Sequence, residues 1–316
     1  AVPEMNRFGF KSRFTVGVIA GSSVLGMLIP PSAMLIIYAI VTEQSVGQLF
    51  IAGIVPGIIL SIAYCILILI LSYAWPSFVG GDESKDVAGE DWANLTWGDL
   101  VAKISPVVIL VLVVLGGIYG GVVTPVEAGA MGSLAAMLIA WFKRALSWGD
   151  LWEVLVETGY ITSAILFLII AASMYSRMLG VAGLPTMFGE WLTGLDLTLG
   201  QIMTMYVILM LALGTILDTA SIILIVVPLF LTALEEFGVD LIWFGIVTVV
   251  GAEIGLLTPP LGISCFVIKS TINDPNVTLY DIFSGAFPFA VTMLLVLIIL
   301  INFPVLSTGL LQFSFM

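Results

Sequence analysis

Apolar runs, most of them free of charge and several close to the length of a bilayer crossing, alternate along this chain with short polar connections. Phe14 to Thr42 is the first, with Pro30-Pro31 in its middle, and Leu49 to about Trp75 is the second. After a polar loop come Ile104 to about Gly121, Ala128 to Phe142 and Thr158 to Ser176. Gly183 to Asp196 is too short and polar to span. Leu197 to Leu217 and Thr219 to Leu234 form two halves split by Asp218, and the second half is short for a crossing. Leu241 to Ile268 is another long run, broken at Pro259-Pro260, and Ile282 to Phe303 closes the set. The pattern predicts an all-α integral membrane protein with two broken helices and a re-entrant hairpin over Leu197 to Leu234.

Basic residues orient these spans. With Arg7, Lys11 and Arg13 on the cytoplasmic side and the hairpin returning to the side it left, Lys85, Lys103, Lys143, Arg144 and Lys269 also fall inside. Of the 9 basic residues only Arg177 then lies outside, as the positive-inside rule requires. Two full crossings in place of the hairpin would move Lys269 outside, a weaker fit.

The chain also matches itself. Phe8-Gly9 precedes Gly26 and Pro30-Pro31, and Phe237-Gly238 precedes Gly255 and Pro259-Pro260, each pair at a constant offset of 229 residues. Downstream, LFIAGIVP from Leu49 to Pro56 resembles IFSGAFP from Ile282 to Pro288. In the topology above the two broken spans run in opposite directions, so the repeat is inverted, which is a pattern of secondary transporters. A proline has no N–H and blocks the carbonyl four residues back. Freed carbonyls in lipid must be buried in protein or line a wet cavity. They suit a hard cation such as Na⁺, while the N–H groups of the half-helix beyond the break suit an anion. A mere kink is the simpler reading of one doublet, and less so of two at matched positions.

Composition agrees with lipid as the solvent. Apolar residues make up 60% of the chain and charged ones 9%, with a mean hydropathy of +1.21, against roughly 25% charged in soluble domains. The absence of His argues against a His-ligated metal, a haem and a His-based triad. No cofactor is expected. The two cysteines, Cys65 and Cys265, read as small buried hydrophobes. A net charge of −12 excludes a basic nucleic-acid surface. The acidic residues gather at Asp82 to Asp99 and Glu235 to Asp240 and read as solvated faces. AVPEMNRFGFKSR has no apolar stretch after its charges, so it is no signal peptide, and the chain reads as lacking an upstream part.

A few polar residues interrupt the apolar runs. Asp218, beside Gly214, Thr215, Thr219 and Ser221, is either a hairpin tip aimed at ion or substrate or a cap on the second half-helix; the two are compatible. Glu253 could be an ion ligand, a proton site or the partner of a buried donor, with the structural role favoured. Glu127 fits the first turn of a helix starting near Pro125. Ser22 and Ser23 could face the first break, although membrane serines more often bond their own backbone. Gly17-x-x-x-Gly21, Gly53-x-x-x-Gly57, Gly116-x-x-x-Gly120 and Gly251-x-x-x-Gly255 are close-packing patterns. Trp75, Trp92, Trp97, Trp141 and Trp148 fall near cytoplasmic span ends or in cytoplasmic loops, and those at span ends suit an interfacial belt.

RFTVGVIAGSSVLGMLIPPS, GGIYGGVVTPVEAGAMGSL, ILDTASIILIVVPLFLTALEEFGVDLIWFGIV and AEIGLLTPPLGISCFVI together resemble the large membrane (DctM-like) subunit of TRAP transporters, in family order and over essentially the whole chain. The resemblance implies an elevator-type transporter of the bacterial inner membrane that imports a small organic acid with Na⁺ as coupling ion. It also implies two partners within the lipid bilayer's reach, a periplasmic substrate-binding protein and a small four-helix membrane subunit. Residues 1–75 would hold the end of the first repeat and a scaffold span, 76–103 an acidic cytoplasmic loop, 104–182 scaffold spans and 183–316 the second repeat. The ion and substrate site would draw on Ser22, Ser23, Gly26, Ile29, Pro30 and Pro31 at the first break. It would add Gly214, Thr215, Asp218 and Thr219 at the hairpin tip and Gly255, Thr258, Pro259, Pro260 and Gly262 at the second break. Na⁺ would be held through backbone carbonyls near Gly26, Gly214 and Thr258. A first hairpin would precede Pro3. The alternative is a related dicarboxylate or citrate symporter that needs no binding protein; a channel and a membrane enzyme fit less well.

Overall fold

A computed structural model describes residues 2–80, 97–272 and 277–314 of the chain, so Asp82, Lys85 and Trp92 of the acidic loop lie outside it. Among the described residues the structure is helical throughout, apart from an isolated bridge between Phe10 and Gly80. Five helices are long and apolar enough to cross a membrane, and a bent pair makes a sixth candidate. The chain divides into two compact units, Ala1–Asp91 with Met178–Met316, and Trp92–Arg177.

The larger unit opens with α1 (Val2–Arg7), α2 (Ser12–Leu28), α3 (Ala33–Thr42), α4 (Val46–Ala74) and α5 (Pro76–Val79). The smaller contains α6 (Trp97–Tyr119), α7 (Pro125–Phe142) and most of α8 (Trp148–Val181). The larger unit resumes with α9 (Leu184–Thr193), α10 (Leu199–Gly214), α11 (Thr219–Glu236), α12 (Leu241–Leu256), α13 (Ile263–Thr271) and α14 (Leu279–Asn302). Two short helices, α15 (Val305–Thr308) and α16 (Leu311–Ser314), follow.

Helix α12 is the centre of the larger unit. All of Ile242 to Leu256 is buried, as expected of a helix that is apolar on every side. Asp240 caps it by accepting from the N–H groups of Ile242 and Trp243 at 2.8 and 3.3 Å. An aromatic column crosses the unit from α9 to α3. Phe188 meets Phe230 at 5.0 Å, Phe230 meets Tyr206 at 4.9 Å, Tyr206 meets Phe244 at 4.6 Å and Phe244 meets Tyr38 at 6.4 Å. All lie in the range where edge and offset ring contacts add to burial. The polar ends of this column are satisfied: the Tyr206 and Thr248 hydroxyls bond at 2.8 Å and the Tyr38 hydroxyl donates to Leu241 O at 2.7 Å. Where α2 meets α14 the approach is closer still. Gly17 lies against the backbone of Gly285, and Gly21 lies under the Phe289 ring.

Three of the four glycine patterns therefore make helix contacts, with Gly53 against Leu28 O and Gly251 and Gly255 against α10. Gly116-x-x-x-Gly120 does not. A Cβ at Gly116 would meet nothing, and one at Gly120 would meet the carbonyl of Gly116 and the nearby Val122 side chain, not another helix. That pattern lies in the smaller unit, where α6 and α7 pack together and large apolar side chains such as Val107, Leu112 and Phe142 stay 63%, 64% and 81% exposed. Apolar surface of this extent suits lipid or another membrane protein.

Two other expectations are corrected. Cys265 is buried, but Cys65 is exposed, because it shares the outward face of α4 with Ile58, Ile62, Ile66 and Leu69. A Cys in lipid needs no protein cover. Several helices also run past the charge-free segments. Thus α8 begins at Trp148 rather than Thr158, with Ser147 and Asp150 exchanging backbone-to-side-chain bonds at 2.8 and 3.2 Å at its start. Backbone bonding continues beyond the lipid-compatible core wherever a cap can end it.

Candidate functional site

Both proline doublets sit where a helix stops. Helix α2 ends at Leu28 and α3 starts at Ala33, with the two axes bent by 43°. Pro30 and Pro31 have no N–H for the carbonyls of Gly26 and Met27. The Ser32 hydroxyl takes up Met27 O and also receives the Leu35 N–H at 3.3 Å as the N-cap of α3. The second break lies between Leu256 and Ile263. There the Thr258 N–H tightens back onto Gly255 O at 2.9 Å, and Gly262 at φ 35° turns the chain into α13. Both Pro-Pro peptide bonds are cis. A Cβ on Gly262 would lie 3.1 Å from both Leu256 O and Thr258 O, so these two carbonyl oxygens converge on one glycine.

The self-match holds in local geometry as well. Gly9 and Gly238 each adopt a left-handed φ, 74° and 64°, a region glycine enters without penalty. Each follows a helix end and precedes the helix that stops just before a proline doublet. Pro56 and Pro288 fall inside α4 and α14, the helices that follow the two broken ones.

Helices α10 and α11 have 16 and 18 residues, or about 24 and 27 Å at 1.5 Å per residue, short of a hydrocarbon core of about 30 Å. Between them Asp218 serves as the cap of α11. Its carboxylate accepts from the Ser221 N–H at 3.1 Å and the Ser221 hydroxyl at 2.5 Å. The tip is pinned to α12 at two points. A Cβ on Gly255 would lie 2.5 Å from the Gly214 Cα, so the two backbones touch. The Thr219 hydroxyl donates to Glu253 Oε1 at 2.6 Å in a buried contact. Glu253 is 1% exposed, and its Oε2 has no hydrogen-bond partner.

The structure thus brings Gly214, Thr215, Asp218 and Thr219 together with Gly255, and places Thr258, Pro259, Pro260 and Gly262 on the turn that follows. The first break has a different seat, with Leu28 O beside Gly53 and Ile29 beside Gly57 of α4. Among the described residues no hydrogen bond joins it to the tip or to the second break. Ser22, Ser23, Gly26, Ile29 and Pro31 are exposed there, and Pro30 is buried. The Ser22 and Ser23 hydroxyls donate to Ile19 O and Ala20 O at 3.2 and 2.8 Å. The Thr215 and Thr258 hydroxyls donate to Ala212 O and Ile254 O at 2.8 and 2.7 Å. Each hydroxyl oxygen keeps lone pairs that can accept or coordinate. Among the described residues no group of three or more His, Cys, Asp or Glu could hold a metal; the oxygens near the tip are hydroxyl and main-chain oxygens and the carboxylates of Asp218 and Glu253.

Comparison with known proteins now decides the family. The profile described as "Tripartite ATP-independent periplasmic transporter, DctM component" matches residues 1–306. This chain belongs to that family. A C4-dicarboxylate TRAP transporter large permease protein from Pseudomonas aeruginosa is 32% identical over 98% of this chain and 70% of its own length. An ectoine TRAP transporter large permease protein from Halomonas elongata is 30% identical over 99% of the chain and 71% of its length. A 2,3-diketo-L-gulonate TRAP transporter large permease protein from Escherichia coli is 28% identical over 96% and 69%. These relatives are transport components and not enzymes. The TRAP large permease described here is accordingly a multi-pass membrane transport protein.

Glu253 was the residue whose place in this TRAP permease was hardest to read from sequence. Its favoured structural bond exists, but nothing local marks Thr219, 34 positions away, as the donor. The signal available was an acid inside a segment otherwise apolar on all sides.

Proposed function

We propose that this chain is the ion-coupled transport subunit of an importer for a small organic acid. One observation carries the reading: two helices, matched within the sequence, each break at a proline doublet, and a hairpin tip is seated on the second of them. At such a break main-chain oxygens can replace the water around a hard cation, and the N–H groups at the start of the next half-helix can face a carboxylate. Na⁺ is the proposed coupling ion. Its ligands would be carbonyls near Gly26, Gly214 and Thr258, with the hydroxyls of Thr215, Thr219 and Thr258. Two of the relatives named above carry C4-dicarboxylates and 2,3-diketo-L-gulonate, which supports a carboxylate as the solute class.

In this reading the breaks and the hairpin travel together against a scaffold, in an elevator cycle in the bacterial inner membrane. A periplasmic binding protein delivers the solute, and a small four-helix subunit braces the scaffold. Residues 1–75 supply the end of the first repeat and a scaffold span, 183–316 the second repeat, and α6 to α8 the remaining scaffold spans, with a cytoplasmic loop between α5 and α6.

Uptake into proteoliposomes holding the full-length subunit pair tests this directly. A C4-dicarboxylate should accumulate only when an inward Na⁺ gradient and the cognate binding protein are both present. Uptake without the binding protein would favour the symporter alternative. Asp218→Ala and Thr258→Val should each raise the Na⁺ concentration needed for half-maximal uptake; unchanged Na⁺ dependence in both removes the proposed site.

A further inference from the structure

Away from the breaks, at the end of the larger unit where α2 and α14 start and α4 stops, lies a cavity of about 570 Å³ lined by Lys11, Arg13, Trp75, Phe78, Ser284 and Phe287, among others. Its volume is that of a small-molecule pocket. We propose that it holds the phosphate head of an anionic phospholipid from the cytoplasmic leaflet, gripped by Arg13 and Lys11.

The cationic groups are held ready and are not spent on acids. The Arg13 guanidinium carbon lies 5.0 Å from the Phe78 ring centroid and 5.7 Å from that of Tyr280. Such placement fixes its plane and leaves its donors unspent. Arg13 Nε is buried and has no hydrogen-bond partner. Among the described residues Arg13 makes no ion pair. Asp281 is the acid whose charge reaches Arg13, but among the described residues it stands beyond ion-pair distance, and its Oδ2 accepts from the Thr278 N–H and hydroxyl at 3.0 and 2.5 Å. The Lys11 ammonium spends one N–H on Ser77 O at 2.6 Å and has two more to give.

The surroundings favour a lipid over a soluble anion. Phe287 at the cavity is 62% exposed, and Val291, Leu295 and Ile298 continue it along α14 at 40%, 57% and 48%. They form a stripe at helical spacing that acyl chains can follow. Trp75, 60% exposed at the end of α4, stands where interfacial tryptophans stand. Lys11 and Arg13 lie on the side that the distribution of basic residues assigns to the cytoplasm. Basic pockets between helices at that surface suit anionic head groups.

Native mass spectrometry of the full-length transporter tests the assignment, with phosphatidylglycerol titrated against phosphatidylcholine of the same chains. The wild type should retain phosphatidylglycerol at least tenfold more strongly. The double variant Lys11→Gln/Arg13→Gln should lose that preference, and Arg13→Lys should keep part of it. Lys143→Gln/Arg144→Gln, which removes the same charge elsewhere, should keep all of it. Equal retention of the two lipids by the wild type would overturn the proposal even if the double variant fails to fold. So would an undiminished preference in the double variant. Displacement of the lipid by millimolar inorganic phosphate would reassign the cavity to a soluble anion.

Discussion

The contact between Gly214 and Gly255 makes the sharpest demand on the structure. In Gly255→Ala the new Cβ would fall 2.5 Å from the Gly214 Cα, 2.8 Å from its carbonyl carbon and 3.0 Å from Leu211 O. All three are backbone atoms, so no side-chain rotation relieves the clash. Ordinary contact begins near 3.4 Å, so α10 must retreat by about 0.9 Å. Overpacking of this kind costs about 1–3 kcal/mol. The helix preference for Ala over Gly returns at most about 1 kcal/mol, and less in the last turn of α12. Carried through the tip to Thr219 at the start of α11, the same shift would stretch its 2.6 Å bond to Glu253 toward the limit of a hydrogen bond. Leaving that carboxyl without its donor costs a further ~1–3 kcal/mol. A net loss of about 1–6 kcal/mol follows. Thermal unfolding in detergent, followed by tryptophan fluorescence, should show it beside a fall in uptake. Gly200→Ala is the control, since it lies in the same α10 and its Cβ would meet no atom within 4 Å. It should unfold at or above the wild-type temperature. If Gly255→Ala melts and transports like the wild type, α10 does not rest on α12.

Other outcomes can be stated briefly. Thr219→Val keeps the shape but removes the donor to Glu253, so it should cost about 1–3 kcal/mol, while Thr219→Ser should restore most of that in the same melting assay. Tyr206→Phe removes the buried bond to Thr248 and should cost about 1 kcal/mol. Gly9→Ala and Gly238→Ala place a Cβ at φ 74° and 64°, which costs about 1–2 kcal/mol each. Similar losses at both sites are expected if the two turns are equivalent, and a large difference would separate them.

Local chemistry explains which of these features were legible in the sequence. A proline doublet ends a helix whatever surrounds it, so both breaks could be placed at Pro30-Pro31 and Pro259-Pro260. Asp218 between two apolar halves marked both a turn and a cap, and Glu127 after Thr124-Pro125 marked a helix start. The glycine patterns showed that something packs closely, but not what. Gly255 meets Gly214, whereas Gly116 meets nothing, and the two spacings are identical. Glu253 and Thr219 are partners only because α11 and α12 pack together, and Arg13 finds Phe78 only because α2 starts beside α5. Such pairs depend on tertiary packing, which no single segment encodes. Helix ends were misplaced in α6 and α8 because absence of charge locates lipid contact, whereas hydrogen bonding continues into water until a cap intervenes.

The link from the Tyr38 hydroxyl to Leu241 O spans 203 positions, and that distance has a meaning for biogenesis. A ribosome adding about 5–20 residues per second needs on the order of 10–40 s to produce Leu241 after Tyr38. Throughout that interval the half-helix Ala33–Thr42 has been made but lacks the segment that will close over its ring. Nascent chains halted before α12 should therefore be poor at leaving the insertion machinery and ready targets for membrane proteases, while those released after it should not.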